Sequence, residues 1–104
     1  MDWYVVEFDQ MAVRRQVSPS GVEGWSDHFY WHDIIRVCFC AGGFLEQDEV
    51  FIFTNQKPES YQIPMEAIGV SELMAELGRR GLFSPTLYLE AIQHSGELYC
   101  HPKP

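Results

Sequence analysis

The chain has 104 residues, with 7 Lys+Arg against 15 Asp+Glu and a formal charge of −8. That length suits one domain, in which about 65% of the unfolded chain's surface can be buried around one modest core. Apolar residues at 46% exclude wholesale disorder. The acidic balance argues against nucleic acid or an anionic membrane as a partner, because phosphates would be repelled.

Trp3-Tyr4-Val5-Val6-Glu7-Phe8 is dense in aromatic and β-branched residues and predicts a strand. Asp9-Gln10 predicts a tight turn. Met11, Val13, Arg15 and Val17 then alternate with Ala12, Arg14 and Gln16, which gives a second strand and a hairpin. Ser18-Pro19-Ser20-Gly21 breaks it, and the loop runs through Gly24. Trp25 to Trp31 reads as a third strand. Ile35, Val37, Phe39 and Ala41 fall on one face of a fourth, with Arg36, Cys38 and Cys40 on the other, and Gly42-Gly43 ends it. Val50 to Thr54 reads as a fifth strand buried on both faces. Ser60 to Ile63 makes a sixth, after a turn at Asn55-Gln56-Lys57-Pro58.

The period then changes. Val70, Leu73, Met74 and Leu77 form one helical stripe, Arg79 and Arg80 complement the dipole of the last turn, and Gly81 suits the C′ position. Ser84-Pro85 offers an N-cap followed by proline at the first position of a second helix, with Leu87, Tyr88, Ala91 and Ile92 on its apolar side. Leu98-Tyr99-Cys100 reads as a short last strand before a frayed tail. Strands first and helices afterwards give an α+β class: a bent antiparallel sheet of about six strands followed by C-terminal helices, as one domain over residues 1–104.

The start Met1-Asp2-Trp3-Tyr4 has neither the basic nor the apolar region of a secretory signal, and no apolar run approaches the ~18 residues of a membrane span. Cys38, Cys40 and Cys100, odd in number, are expected as reduced thiols in a cytoplasm. No P-loop, dinucleotide, zincin, CxxC or nucleophile-elbow motif occurs.

Five features in order carry a resemblance: Trp3-x-Val5 to Phe8-Asp9, Trp31-x-Asp33-Ile34, Phe44-Leu45-Glu46 before Val50-Phe51, Ile63-Pro64 before Gly69, and Phe83 before a helix cap. Together they resemble a group of small uncharacterised bacterial proteins with a pleckstrin-homology-like fold. The resemblance implies a bent sheet closed by a helix and, by analogy with similar small families, an immunity protein that neutralises a toxin. It implies no catalytic residues. Ser84 stands where an acidic cap belongs in that pattern, though serine accepts from the same free amides. Gly42-Gly43 replaces a more polar turn.

Cys38-x-Cys40 places two thiols on one strand face, and with Cys100 and His101 nearby they would make four soft ligands for zinc. The spacing is not that of a zinc knuckle, and ordinary packing is the expectation. His28 and His32 lie roughly 13 Å apart on a strand, too far for one ion. His32-Asp33 would be a base and its orienting carboxylate only if both faced one way, which adjacent strand residues do not. Asp33 is expected to fix a corner by bonding its own backbone two residues on.

Residues 1–60 hold 4 basic and 10 acidic side chains, against 3 and 5 in residues 61–104. The acidic loop Glu46, Asp48 and Glu49 reads as a solvated hairpin tip or as a contact patch for a basic protein, and it is the candidate partner site. Trp25, Phe29, Tyr30 and Trp31 form an aromatic cluster that reads as core or as an exposed anchor, with core the expectation; Trp31 is expected to pack under the sheet, and Trp25 and Tyr30 are the candidate anchors. The expectation is a non-enzymatic cytoplasmic interaction domain with no cofactor. The alternatives are a small thiol- or metal-dependent enzyme or metal-binding protein built on Cys38, Cys40, Cys100 and His101, or a homo-oligomeric scaffold.

Overall fold

The computed structural model describes residues 1–43 and 46–104, so the Phe44-Leu45 part of the resemblance lies outside the described residues. Strands β1 (Tyr4–Phe8), β2 (Ala12–Val17) and β3 (Trp25–Tyr30) form a three-stranded antiparallel sheet in that order. Strands β4 (Ile34–Cys40), β5 (Glu49–Thr54), β6 (Lys57–Pro64) and β7 (Leu98–His101) form a second, ordered β6-β5-β4-β7. Helices α1 (Val70–Arg79) and α2 (Pro85–Ile92) lie between β6 and β7. The α+β class and the short last strand are as expected, but the described residues form two antiparallel sheets, of three and four strands, instead of one bent sheet of about six. The division arises where the chain leaves β3: Trp31–Asp33 is a 3-10 turn, which ends one sheet before Ile34 begins the next.

The β1-β2 hairpin forms at the expected turn. Asp9 Oδ1 accepts from the Met11 and Ala12 amides at 2.8 and 2.9 Å, and Oδ2 accepts from Arg14 at 3.0 Å. These bonds to the ionised form, the Ala12 and Met11 amides foremost, hold the Asp9 carboxyl at about 2. A depressed folded pKa contributes stability that is present above the ordinary value of 3.8 and lost as pH falls towards about 2. Asp9→Ala should lower the urea midpoint at neutral pH, and the difference from the parent should vanish by about pH 2.

The core lies between the sheets and the helices. Val13, Val37, Phe39, Val50, Ile52, Ile63, Leu73, Leu77 and Phe83 are almost wholly buried. Val70, Leu73 and Leu77 supply the buried stripe of α1, as their spacing predicts. Gly69 precedes it at φ 89°, beside β1, where a Cβ would collide with the Val6 carbonyl oxygen. Ser84 caps α2, its Oγ accepting from the Leu87 amide at 3.1 Å. Tyr88 of α2 meets Phe39 edge-on at 5.0 Å, so this helix covers the inner face of the four-stranded sheet.

Three strand expectations are corrected. Ile35 is 55% exposed and does not join Val37, Phe39 and Ala41, because a register shift between Ile34 and Arg36 bulges it outwards. In β5 only Val50, Ile52 and Thr54 are buried; Phe51 and Phe53 are half-buried and outside the core cluster. β6 starts at Lys57, before the expected Ser60, and accommodates Pro58 because it is an edge strand.

Candidate functional site

Strand register gathers acidic groups at one end of the four-stranded sheet. Cys40 lies opposite Glu49 on one side and Leu98 on the other, while Glu49 lies opposite Pro64. The Gly96 amide bonds the Ala41 carbonyl at 2.8 Å, and the Met65 amide bonds the Asp48 carbonyl at 2.9 Å. Glu46, Asp48, Glu49, Glu66 and Glu97 therefore sit on segments that meet. Glu90 joins them: with Glu97 it raises the Tyr99 hydroxyl's pKa, after loss of hydration and the Glu97 bond at 3.1 Å. Segments 40–49, 62–66 and 90–99 carry no Lys or Arg. The cations Arg36 and Lys57 lie at the opposite end, across from Phe53 and Thr54.

Within the predicted contact loop the three carboxylates differ. Glu46 is exposed. Asp48 Oδ1 accepts from the Gly42 amide at 2.8 Å, which shapes the loop. Glu49 accepts from the Gln62 side-chain amide across the sheet. Asp48 and Glu49 are thus partly committed to the fold, and Glu66, Glu90 and Glu97 were missed because no local pattern joins them to the loop.

Trp25 and Tyr30 are 47% and 40% exposed, whereas Phe29 and Trp31 are buried. Five residues apart on one strand, the two anchors face opposite ways. Tyr30 belongs to an outer row in which its ring meets His28 edge-on at 5.4 Å and stacks on His32 at 5.6 Å. Trp25 lies over the Arg15 guanidinium at 4.8 Å, and Arg15 Nη1 donates to the Gln62 carbonyl at 3.1 Å. The Gln62 side chain also bonds Glu49, so Trp25 is linked to the acidic end through Arg15 and Gln62, while Tyr30 lies on the other face of β3.

Arg15 is the main residue that the sequence reading passed over. It is 8% exposed, on the face of β2 shared by Val13 and Val17. Nε and Nη2 donate to the Asp27 oxygens at 2.8 and 2.5 Å, and Nη1 donates to Tyr4 at 3.0 Å. Burial, the largest single influence, would lower the guanidinium's pKa, but Asp27 and Tyr4 together outweigh it and the net direction is upwards. The signal was present as an arginine on an apolar face. Its position between the sheets marks it as a clip joining them.

Cys38 and Cys100 form a disulfide between β4 and β7, and Cys40 is free. The expectation of three reduced thiols is corrected, and with it the thiol argument for a cytoplasmic setting. Two of the four suggested zinc ligands are bonded to each other, and His101 follows Cys100 on the opposite face of β7. Among the described residues no group of three or more His, Cys, Asp or Glu is placed to hold a metal ion. His32 Nε2 lies 3.3 Å from Asp33 Oδ1, because the pair sits in a 3-10 turn and not a strand. That contact replaces the expected bond from Asp33 to its own backbone. No described helix is long and apolar enough to cross a membrane.

No family model, curated protein or solved structure matches the chain. Function is therefore read from geometry.

Proposed function

We propose that this chain is a non-enzymatic protein-interaction domain whose acidic end docks on a basic surface of a partner protein. The carrying observation is the meeting of Glu46, Asp48, Glu49, Glu66, Glu90 and Glu97 on segments free of Lys and Arg. Internal pairing deepens the imbalance. Arg14, Arg15, Arg79 and Arg80 are taken up by Asp9, Asp27 and Glu76, which leaves three cations against twelve carboxylates. Such a field accelerates encounter with a cationic surface, and Trp25 at its margin supplies an aromatic anchor.

The resemblance to small pleckstrin-homology-like bacterial families makes neutralisation of a basic toxin the concrete form of this reading. Two antiparallel sheets with α1 against β1 suit that fold, while β7 arriving after both helices is a departure from it. The mechanism would be occlusion: carboxylates pair with toxin lysines or arginines and cover the surface it needs.

Capture of partners by the immobilised chain, followed by titration of the recovered protein, tests the proposal. The partner should be basic, and its affinity should fall steeply with added salt. Combined reversal of exposed charges, Glu46→Lys with Glu66→Lys and Glu97→Lys, should weaken binding at least roughly tenfold, mainly through the association rate. An affinity indifferent to both salt and reversal would overturn it.

A further inference from the structure

Among the described residues no helix lies over the outer face of the four-stranded sheet. α2 packs through Phe39 on the inner face, and Phe51 and Phe53 stand outside the core cluster. Register sorts this outer face into three rows. Arg36 lies beside Phe53 at one end. Cys100, Cys38, Phe51 and Gln62 cross the middle. Leu98, Cys40, Glu49 and Pro64 cross the other end, where Leu98 is 59% exposed. Cys38 and Cys100 are themselves buried and Gln62 is exposed, so Phe51 and Phe53 supply the apolar part of a face with a cation at one end and a carboxylate at the other.

We propose that this face binds a second copy of the chain, sheet on sheet, about a two-fold axis perpendicular to the strands through the middle row. Charge complementarity selects that occupant and that axis. The rotation exchanges the end rows and keeps each strand over its own copy, so Arg36 of each copy faces the Cys40–Glu49 row of the other, one strand from Glu49 and within reach of its carboxylate. A two-fold axis along the strands would instead set Arg36 on Arg36 and Glu49 on Glu49. Arg36 can serve: it uses only two of its five donors, on the Pro102 and Lys103 carbonyls. The receiving end is concave, a hollow of about 360 Å³ lined by Cys40, Gly42, Glu46, Gln47, Glu49 and Phe51. Packed sheets stand ~10 Å apart, close enough for Phe51 in the middle row to bury against its counterpart. Four strands at ~4.8 Å spacing make a small interface, so association belongs in the micromolar range. No partner protein enters, so failure here leaves the docking proposal standing, and the converse holds.

Sedimentation velocity on the purified chain from about 1 to 500 µM reads the result directly. The expected outcome is a reversible monomer–dimer equilibrium that Phe51→Lys weakens roughly thirtyfold or more. R36E alone and E49R alone should each weaken it roughly tenfold, because each sets like charges together. An equimolar mixture of R36E and E49R should restore association, since both cross-copy pairs are then of opposite sign. Two variants that had merely failed to fold would not rescue each other. A chain monomeric throughout this range, or a mixture no tighter than either variant alone, overturns the proposal.

Discussion

Replacing Arg15 with methionine is expected to lower stability by about 2–3 kcal/mol, seen as a lower urea midpoint. Removing one partner of a buried ion pair costs about 3–5 kcal/mol because the other charge is left unpaired. The figure is reduced because the Asp27 side chain is 32% exposed and water partly replaces the lost donors. More is lost than a pair. The guanidinium also stands 5.0 Å from the Tyr61 ring and bonds Tyr4 and the Gln62 carbonyl, so it ties β2 and β3 to β6. The Tyr4 hydroxyl keeps its own bond to Gln62, at 2.9 Å. Methionine fills similar volume, which limits the cavity contribution. A double-mutant cycle with Asp27→Asn separates the causes: R15M should cost clearly less where the carboxylate is already gone. An equal cost in both backgrounds would mean that packing, not the charge pair, is responsible.

How far the fold could be read in advance follows from what local sequence encodes. The α1 stripe, the Ser84-Pro85 start of α2 and the Asp9 turn are set within a few residues, and each appears where expected. Period alone does not reveal whether a face will be covered. Val50 to Thr54 has the composition of a strand buried twice, yet Phe51 and Phe53 are only half-buried and, among the described residues, no helix is packed on their side. The break into two sheets rests on three residues, Trp31–Asp33; Asp33 marks a corner, but a corner alone does not say whether the strands on either side of it share a sheet. The acidic end was half visible. Glu46, Asp48 and Glu49 are contiguous enough to notice, while Glu66, Glu90 and Glu97 reach them only through pairing of β6 and β7 with distant strands.

The disulfide belongs to the same class of hidden feature, and its loss should have the largest effect of all. Cys38 and Cys100 are 62 residues apart in sequence and meet only because β7 returns to the edge of β4. Closing a loop of that size restricts the unfolded chain by about 4 kcal/mol in the chain-entropy account. The native side adds a reason for concern. β7 is a four-residue strand at a sheet edge, and it places Glu97 beside the acidic end. Cys38→Ala with Cys100→Ala, or treatment with a phosphine reductant, should therefore lower the urea midpoint by roughly 2–3 M at the m-values usual for a chain of this size. Cys40→Ala should not. Hydrogen exchange should show the loss first in β7 and along β4. The double variant should also bind a basic partner less well, because freeing β7 detaches Glu97 from the other carboxylates. A midpoint unchanged by reduction would show that β4 and β7 hold together without the bond.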